Sequence, residues 1–123
     1  MPKKILVVDD KANIVLSLEF LMIQAGYDVR TASDGEEALA TIEADPPDLI
    51  LLDVNMPTKN GFEVCETVRA RNEWSHIRII MLTAHGRDIE REKGLALGAD
   101  DYLTKPFAIR EVVSKVQELL EQS

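Results

Sequence analysis

Two short apolar runs, each ending in acid, set the main constraint on the fold. Ile5-Leu6-Val7-Val8 leads into Asp9-Asp10, and Leu49-Ile50-Leu51-Leu52 leads into Asp53. Neither run alternates apolar with polar residues, so a strand built from either is covered on both faces. That pattern belongs to a parallel sheet held between helices, not to an antiparallel sheet with one face in water. Val29–Ala32, Ile77–Leu82 and Tyr102–Leu103 are weaker strand candidates.

The intervening segments carry helical spacing. Ile14, Leu18, Leu21, Met22 and Ala25 share one helix face, and Gly26 supplies a stop. Ser33 and Asp34 are cap candidates ahead of Ala38, Leu39 and Ile42, a helix closed by Pro46-Pro47. Asn60 and Glu63 have capping-box spacing before Val64, Cys65 and Val68. Arg87 to Leu97 forms a fourth helix with Gly94 inside it and Gly98 after it. Ile109, Val112, Val113, Val116, Leu119 and Leu120 make the clearest stripe. Five strands alternating with five helices predict a three-layer α/β (βα)5 domain with right-handed crossovers. No repeat or linker divides the chain, so residues 1–123 read as one domain.

Charge and composition exclude several functions. Asp and Glu total 22 against 14 Lys and Arg, a net charge of −8, which disfavours direct contact with nucleic acid or anionic lipid. The apolar runs are far too short to span a membrane, and Met-Pro-Lys-Lys does not begin a signal peptide. Cys65 is the single cysteine, which rules out an internal disulfide and suits a reducing, cytoplasmic setting.

In an open parallel sheet, ligands bind beyond the carboxyl ends of the strands. Those ends carry Asp9-Asp10, Asp53, Thr83-Ala84 and Thr104-Lys105-Pro106. Singly, each has an ordinary reading: an Asp caps the next helix, a Thr fills a strand, a Lys is solvated. Jointly they are harder to explain that way. Carboxylates about 4 Å apart repel by about 4 kcal/mol per pair at an effective dielectric of 20, so the cluster needs protons or a cation. Oxygen ligands without His or Cys favour Mg²⁺, or Mn²⁺ in its place. Lys105 is a compact point charge suited to a phosphoryl oxygen. No phosphate-binding G-x-x-x-x-G-K-[ST], dinucleotide G-x-G-x-x-G or nucleophile-elbow G-x-S-x-G occurs, and His76 and His85 form no H-E-x-x-H. His76 reads as loop surface, and His85 as lying near the rim.

These residues resemble the receiver domain of two-component response regulators over essentially the whole chain. The matching segments are Val7-Val8-Asp9-Asp10, Ala25-Gly26-Tyr27, Asp48-Leu49-Ile50-Leu51-Leu52-Asp53, Met56-Pro57, Gly61-Phe62-Glu63, Leu82-Thr83-Ala84 and Gly98 through Phe107. The resemblance implies a CheY-like, flavodoxin-like sheet in order 2-1-3-4-5. It implies that Asp53 accepts a phosphoryl group from a phosphohistidine of a sensor histidine kinase or histidine phosphotransfer protein. Asp9, Asp10, Asp53 and the backbone carbonyl of Asn55 would hold the metal, and Lys105 would neutralise the transferred oxygens. The Lys105–Pro106 peptide would be cis. Thr83 and Tyr102 would form the switch, biasing the face made by the fourth helix, fifth strand and fifth helix. The activity so implied is signalling with intrinsic self-dephosphorylation, not enzymatic turnover. Asn60 stands where the family often has Asp, and Asn55 and His85 hold positions that tune acyl-phosphate lifetime.

Two surfaces follow. Leu16, Phe20 and Ile23 project opposite the core stripe of the first helix, an exposed apolar set that marks a partner site. By the resemblance, that helix docks the phosphodonor. Arg87, Asp88, Glu90, Arg91, Glu92 and Lys93, with Asp101, Arg110, Glu111 and Lys115, read as a solvated charged face. It could also pair across a homodimer formed on phosphorylation. No output domain is expected in this chain. The competing readings are a phosphorylation-independent interaction module, an aspartyl-phosphate phosphohydrolase and a flavin-binding flavodoxin. Asp53-Val54-Asn55 lacks the second acid of the phosphohydrolases, and Asp9-Asp10 would repel a flavin phosphate.

Overall fold

The structure, a computed structural model, describes residues 2–84 and 88–121. In chain order the elements are β1 (Lys4–Val8), α1 (Ala12–Gln24), β2 (Asp28–Ala32), α2 (Gly35–Ala44), β3 (Leu49–Asp53) and α3 (Gly61–Ala70). A 3₁₀ turn (Asn72–Trp74) then leads to β4 (Arg78–Ala84), α4 (Asp88–Ala96), β5 (Asp101–Lys105) and α5 (Ile109–Glu121). The five strands pair in parallel in the order β2-β1-β3-β4-β5.

Alternate residues along each strand feed two separate cores, which is why the apolar runs lack polar alternation. Leu6, Val8, Ile50, Leu52, Ile79 and Met81 pack with residues of α2 and α3. Ile5, Val7, Leu49, Leu51, Ile80 and Leu82 pack on the other face with α1 and α5. The fourth helix is anchored differently. At Gly94 it lies so close to the sheet that an added Cβ would sit 2.9 Å from Met81 Cγ.

Local chemistry sets the helix starts. Asp34 caps α2 by accepting from the Glu37 N–H at 2.8 Å. Asn60 and Glu63 form a complete capping box on α3. At the end of the sheet away from the acids, Arg69 of α3 donates to the Gly98 and Ile77 carbonyls, both at 2.8 Å, and to Asp100 at 2.9 Å. Asp100 also accepts from the Ile79 N–H at 2.8 Å, so this arginine ties the α4–β5 corner to the start of β4. Trp74 is buried nearby in its 3₁₀ turn, between α3 and β4.

Candidate functional site

The parallel register brings the strand ends to one rim. Val8 lies beside both Ala32 and Leu52, Asp53 beside Leu82, and Ala84 beside Lys105. Asp9 is fully buried, Asp53 and Thr83 nearly so, and Asp10 is exposed. Asp9, Asp10 and Asp53 each offer one carboxylate oxygen within 4.8 Å of the others. Lys105 Nζ reaches into this group, 2.8 Å from Asp9 Oδ2 and 3.1 Å from Asp53 Oδ1. Lys11 donates its backbone N–H to Asp9 Oδ1 at 2.9 Å, and its ammonium lies 3.4 Å from Asp10.

Burial pushes the Asp53 carboxyl above its ordinary range, Asp9 adds to the rise, and Lys105 opposes it. For Lys105, burial acts to lower the pKa, but the hydrogen bond to Asp9 and the charge of Asp53 outweigh it. The net shift is upward, so the ammonium stays charged. Asp53 Oδ2 is buried with no hydrogen-bond partner among the described residues. An oxygen-only cluster with an orphaned buried carboxylate oxygen fits a hard divalent cation.

Thr83 Oγ1 lies 3.5 Å from the Leu103 carbonyl oxygen. Tyr102 is half-buried, and its hydroxyl accepts from Arg91 at 3.4 Å. Arg91 and Lys115 lie 4.9 and 4.8 Å from its ring centroid. The Lys105–Pro106 peptide is cis. His85 and Arg87 lie outside the described residues.

Three features were not read as site components from sequence. An added Cβ on Gly61 would sit 2.2 Å from the carbonyl oxygen of Asp53, so α3 starts in direct contact with that residue's backbone. One on Gly35 would sit 2.1 Å from the Lys59 carbonyl oxygen, pressing α2 against the β3–α3 loop. Gly61 stands in the family-matching segment Gly61-Phe62-Glu63, whereas the only signal for Gly35 is the glycine itself. Glu90 corrects the reading of a uniformly solvated charged face: it is buried, and Asn55 Nδ2 lies 3.5 Å from its carboxylate. On the same face, Asp101 pairs with Lys115 at 3.0 Å and Asp88 with Arg91 at 3.6 Å, both within the chain.

Leu16, Phe20 and Ile23 are 65%, 63% and 54% exposed. They do not share one groove. Phe20 lines an apolar cavity of about 510 Å³ with Leu21, Pro106, Phe107 and Ile109, beside Lys105. Leu16 lines a separate, acid-rimmed cavity of about 420 Å³ with Asp9, Asp10, Glu19 and Glu37.

The sequence profile described as the response regulator receiver domain matches residues 5–117. The chain belongs to the receiver domain family of two-component response regulators. This receiver domain is 50% identical over 123 residues to the alkaline phosphatase synthesis transcriptional regulatory protein PhoP of Bacillus subtilis (strain 168). The match covers all of this chain and 50% of PhoP, so the chain spans about half the length of that curated relative. Among solved structures, a protein described as a response regulator from Chloroflexus aurantiacus aligns with a TM-score of 0.95 and 39% identity, over 98% of this chain and 99% of that one. The chemotaxis response regulator CheY4 of Vibrio cholerae aligns with a TM-score of 0.90 and 36% identity, over 97% and 99%. Among the described residues, no helix is long and apolar enough to cross a membrane.

Proposed function

We propose that this receiver domain accepts a phosphoryl group on Asp53 from a phosphohistidine of a sensor histidine kinase or histidine phosphotransfer protein. The observation that carries the reading is the Asp53 carboxylate. One oxygen is held by Lys105, and the other is buried without a hydrogen-bond partner among the described residues, in a carboxyl clustered with Asp9 and Asp10. Asp9, Asp10, Asp53 and the Asn55 backbone carbonyl are the residues that would hold Mg²⁺, or Mn²⁺. When bound, the ion supplies positive charge for the equatorial oxygens of the transferred group.

A carboxylate oxygen of Asp53 attacks phosphorus in line. A new O–P bond forms as the P–N bond to the donor imidazole breaks, and the leaving nitrogen keeps the bonding pair. Lys105, already charged and positioned by Asp9, balances the negative charge that arrives with the group. Hydrolysis of the resulting acyl phosphate regenerates the carboxylate, so the domain is a self-resetting switch rather than a turnover enzyme. Thr83 hydrogen-bonds the phosphoryl group in the phosphorylated state, and Tyr102 moves inward behind it. The α4-β5-α5 face then takes up its signalling form, a population shift between two states. Homodimerisation through that face is one output it can support.

Phe20 and Leu16, with Ile23 on the same exposed side of α1, form the docking surface for the donor, and the setting is cytoplasmic. Intact mass after incubation with acetyl phosphate, with Mg²⁺ and with chelator, tests the central step. Gain of one phosphoryl group with Mg²⁺ only, lost in Asp53→Asn, supports it. Failure to gain the group, together with failure to bind beryllofluoride and Mg²⁺, overturns it.

A further inference from the structure

The first helix breaks the capping rule that its neighbours obey. Its N-cap is Lys11, in an extended conformation (φ −95, ψ 113), with no side-chain cap and no acidic residue in the first turn. By contrast, α2 has Asp34 with Glu36 and Glu37, and α3 has a full capping box. A lysine cannot accept a hydrogen bond from the orphan N–H groups, and its charge opposes the positive end of the helix dipole. A local rule broken at the rim of a site points to a use in that site.

The surroundings of Lys11 identify that use. Its backbone N–H is fastened to Asp9, and its ammonium lies on Asp10, the outermost carboxylate of the cluster. Lys105 bridges the inner two, Asp9 and Asp53. Each of the three acids therefore has a lysine partner. Lys105 is partly buried within the transfer site, whereas the Lys11 side chain is 56% exposed and stands outside it. The Lys11 charge is nevertheless among those felt at Asp53.

We propose that Lys11 is a resident competitor of the divalent cation: it occupies Asp10 and sets how tightly the acid cluster binds metal. This inference rests on reading Asp9, Asp10 and Asp53 as a metal site. A like charge beside a divalent ion in a water-exposed setting weakens binding about three- to tenfold at low ionic strength. The effect fades as salt screens it, because the Debye length falls from about 30 Å at 0.01 M to about 3 Å at 1 M.

The test is calorimetric titration of the full chain with MgCl₂ at these two ionic strengths, on wild type, Lys11→Gln and Lys11→Arg. Lys11→Gln is expected to bind about three- to tenfold tighter at low salt, with the gap closing at high salt, and Lys11→Arg to match wild type. Equal or weaker binding by Lys11→Gln, or an Lys11→Arg shift as large as that of Lys11→Gln, overturns the role given to Lys11. Wild type without saturable Mg²⁺ binding is a different result. It removes the metal site itself, and the competitor with it.

Discussion

Gly61→Ala tests whether the backbone of Asp53 is held where transfer needs it. The added methyl carbon would lie 2.2 Å from the Asp53 carbonyl oxygen and 3.0 Å from both the Asp53 carbonyl carbon and Val54 Cα. Relief requires roughly 1 Å of movement, because non-bonded carbon contacts settle near 3.5–4 Å. No flexible side chain can absorb it: the obstacles are backbone atoms, and Gly61 is itself tied to Val54 by a 2.9 Å N–H···O bond. Overpacking of this kind costs about 1–3 kcal/mol, which in a domain of this size lowers the melting temperature by about 4–15 °C. If the strain moves Asp53, a displacement near 1 Å reduces the phosphorylation rate by about 10²-fold. Thermal unfolding by circular dichroism measures the first quantity, and a time course of intact mass with acetyl phosphate and Mg²⁺ the second. Gly26→Ala is the control. It forces an L residue to φ +97 with nothing within 4 Å of the new atom, so it should lose stability without losing transfer rate. A Gly61→Ala protein that melts within about 1 °C of wild type and phosphorylates within about twofold would refute the reasoning.

Thr58 holds φ 65, and Thr58→Gly should raise stability by about 1 kcal/mol, read by urea unfolding; an unchanged midpoint would remove the strain argument. Burial and Asp9 hold the Asp53 pKa above its unfolded value of 3.8, so the folded protein keeps that proton to higher pH. Its contribution is most favourable below the unfolded pKa and declines as pH rises through the folded one. In chelator, Asp53→Asn should therefore be more stable than wild type at neutral pH, with the gap closing towards pH ~4; a gap that does not narrow contradicts the sign. Burial pushes the Cys65 thiol up to about 11, so a disulfide reagent should label native protein only as fast as it unfolds; rapid labelling of folded protein would count against this packing.

The parts of this fold that are legible in sequence are those whose residues answer to one environment. β1 and β3 are covered on both faces, so their apolar runs declare both the strand and the acid-bearing end. β2 is an edge strand whose residues are mostly exposed, and Asp28-Val29-Arg30-Thr31-Ala32 carries only a faint signal. The meeting of Asp9, Asp53, Thr83 and Lys105 at one rim follows from parallel pairing, because that topology puts every strand's carboxyl end on the same side. What could not be read depends on partners distant in sequence. Nothing in a glycine says that Asp53 or Lys59 will press against it. The inward turn of Glu90 is hidden in a run of charges in which Asp88, Glu92 and Lys93 are exposed. Leu16 and Phe20 lie one helical turn apart, yet they line different cavities, because the end of β2 with the β2–α2 connection borders α1 beside Leu16 and the β5–α5 connection borders it beside Phe20.

The most direct measurement is chemical mapping of the acceptor. The protein is phosphorylated with acetyl phosphate and Mg²⁺ and reduced with borohydride, which converts an aspartyl phosphate to homoserine. The digest is then read by tandem mass spectrometry. The expected result is homoserine at position 53 alone, absent when chelator replaces Mg²⁺. Reduction at another carboxylate, or a phosphoryl group retained on a residue that borohydride does not touch, would contradict the assignment of Asp53 as the acceptor.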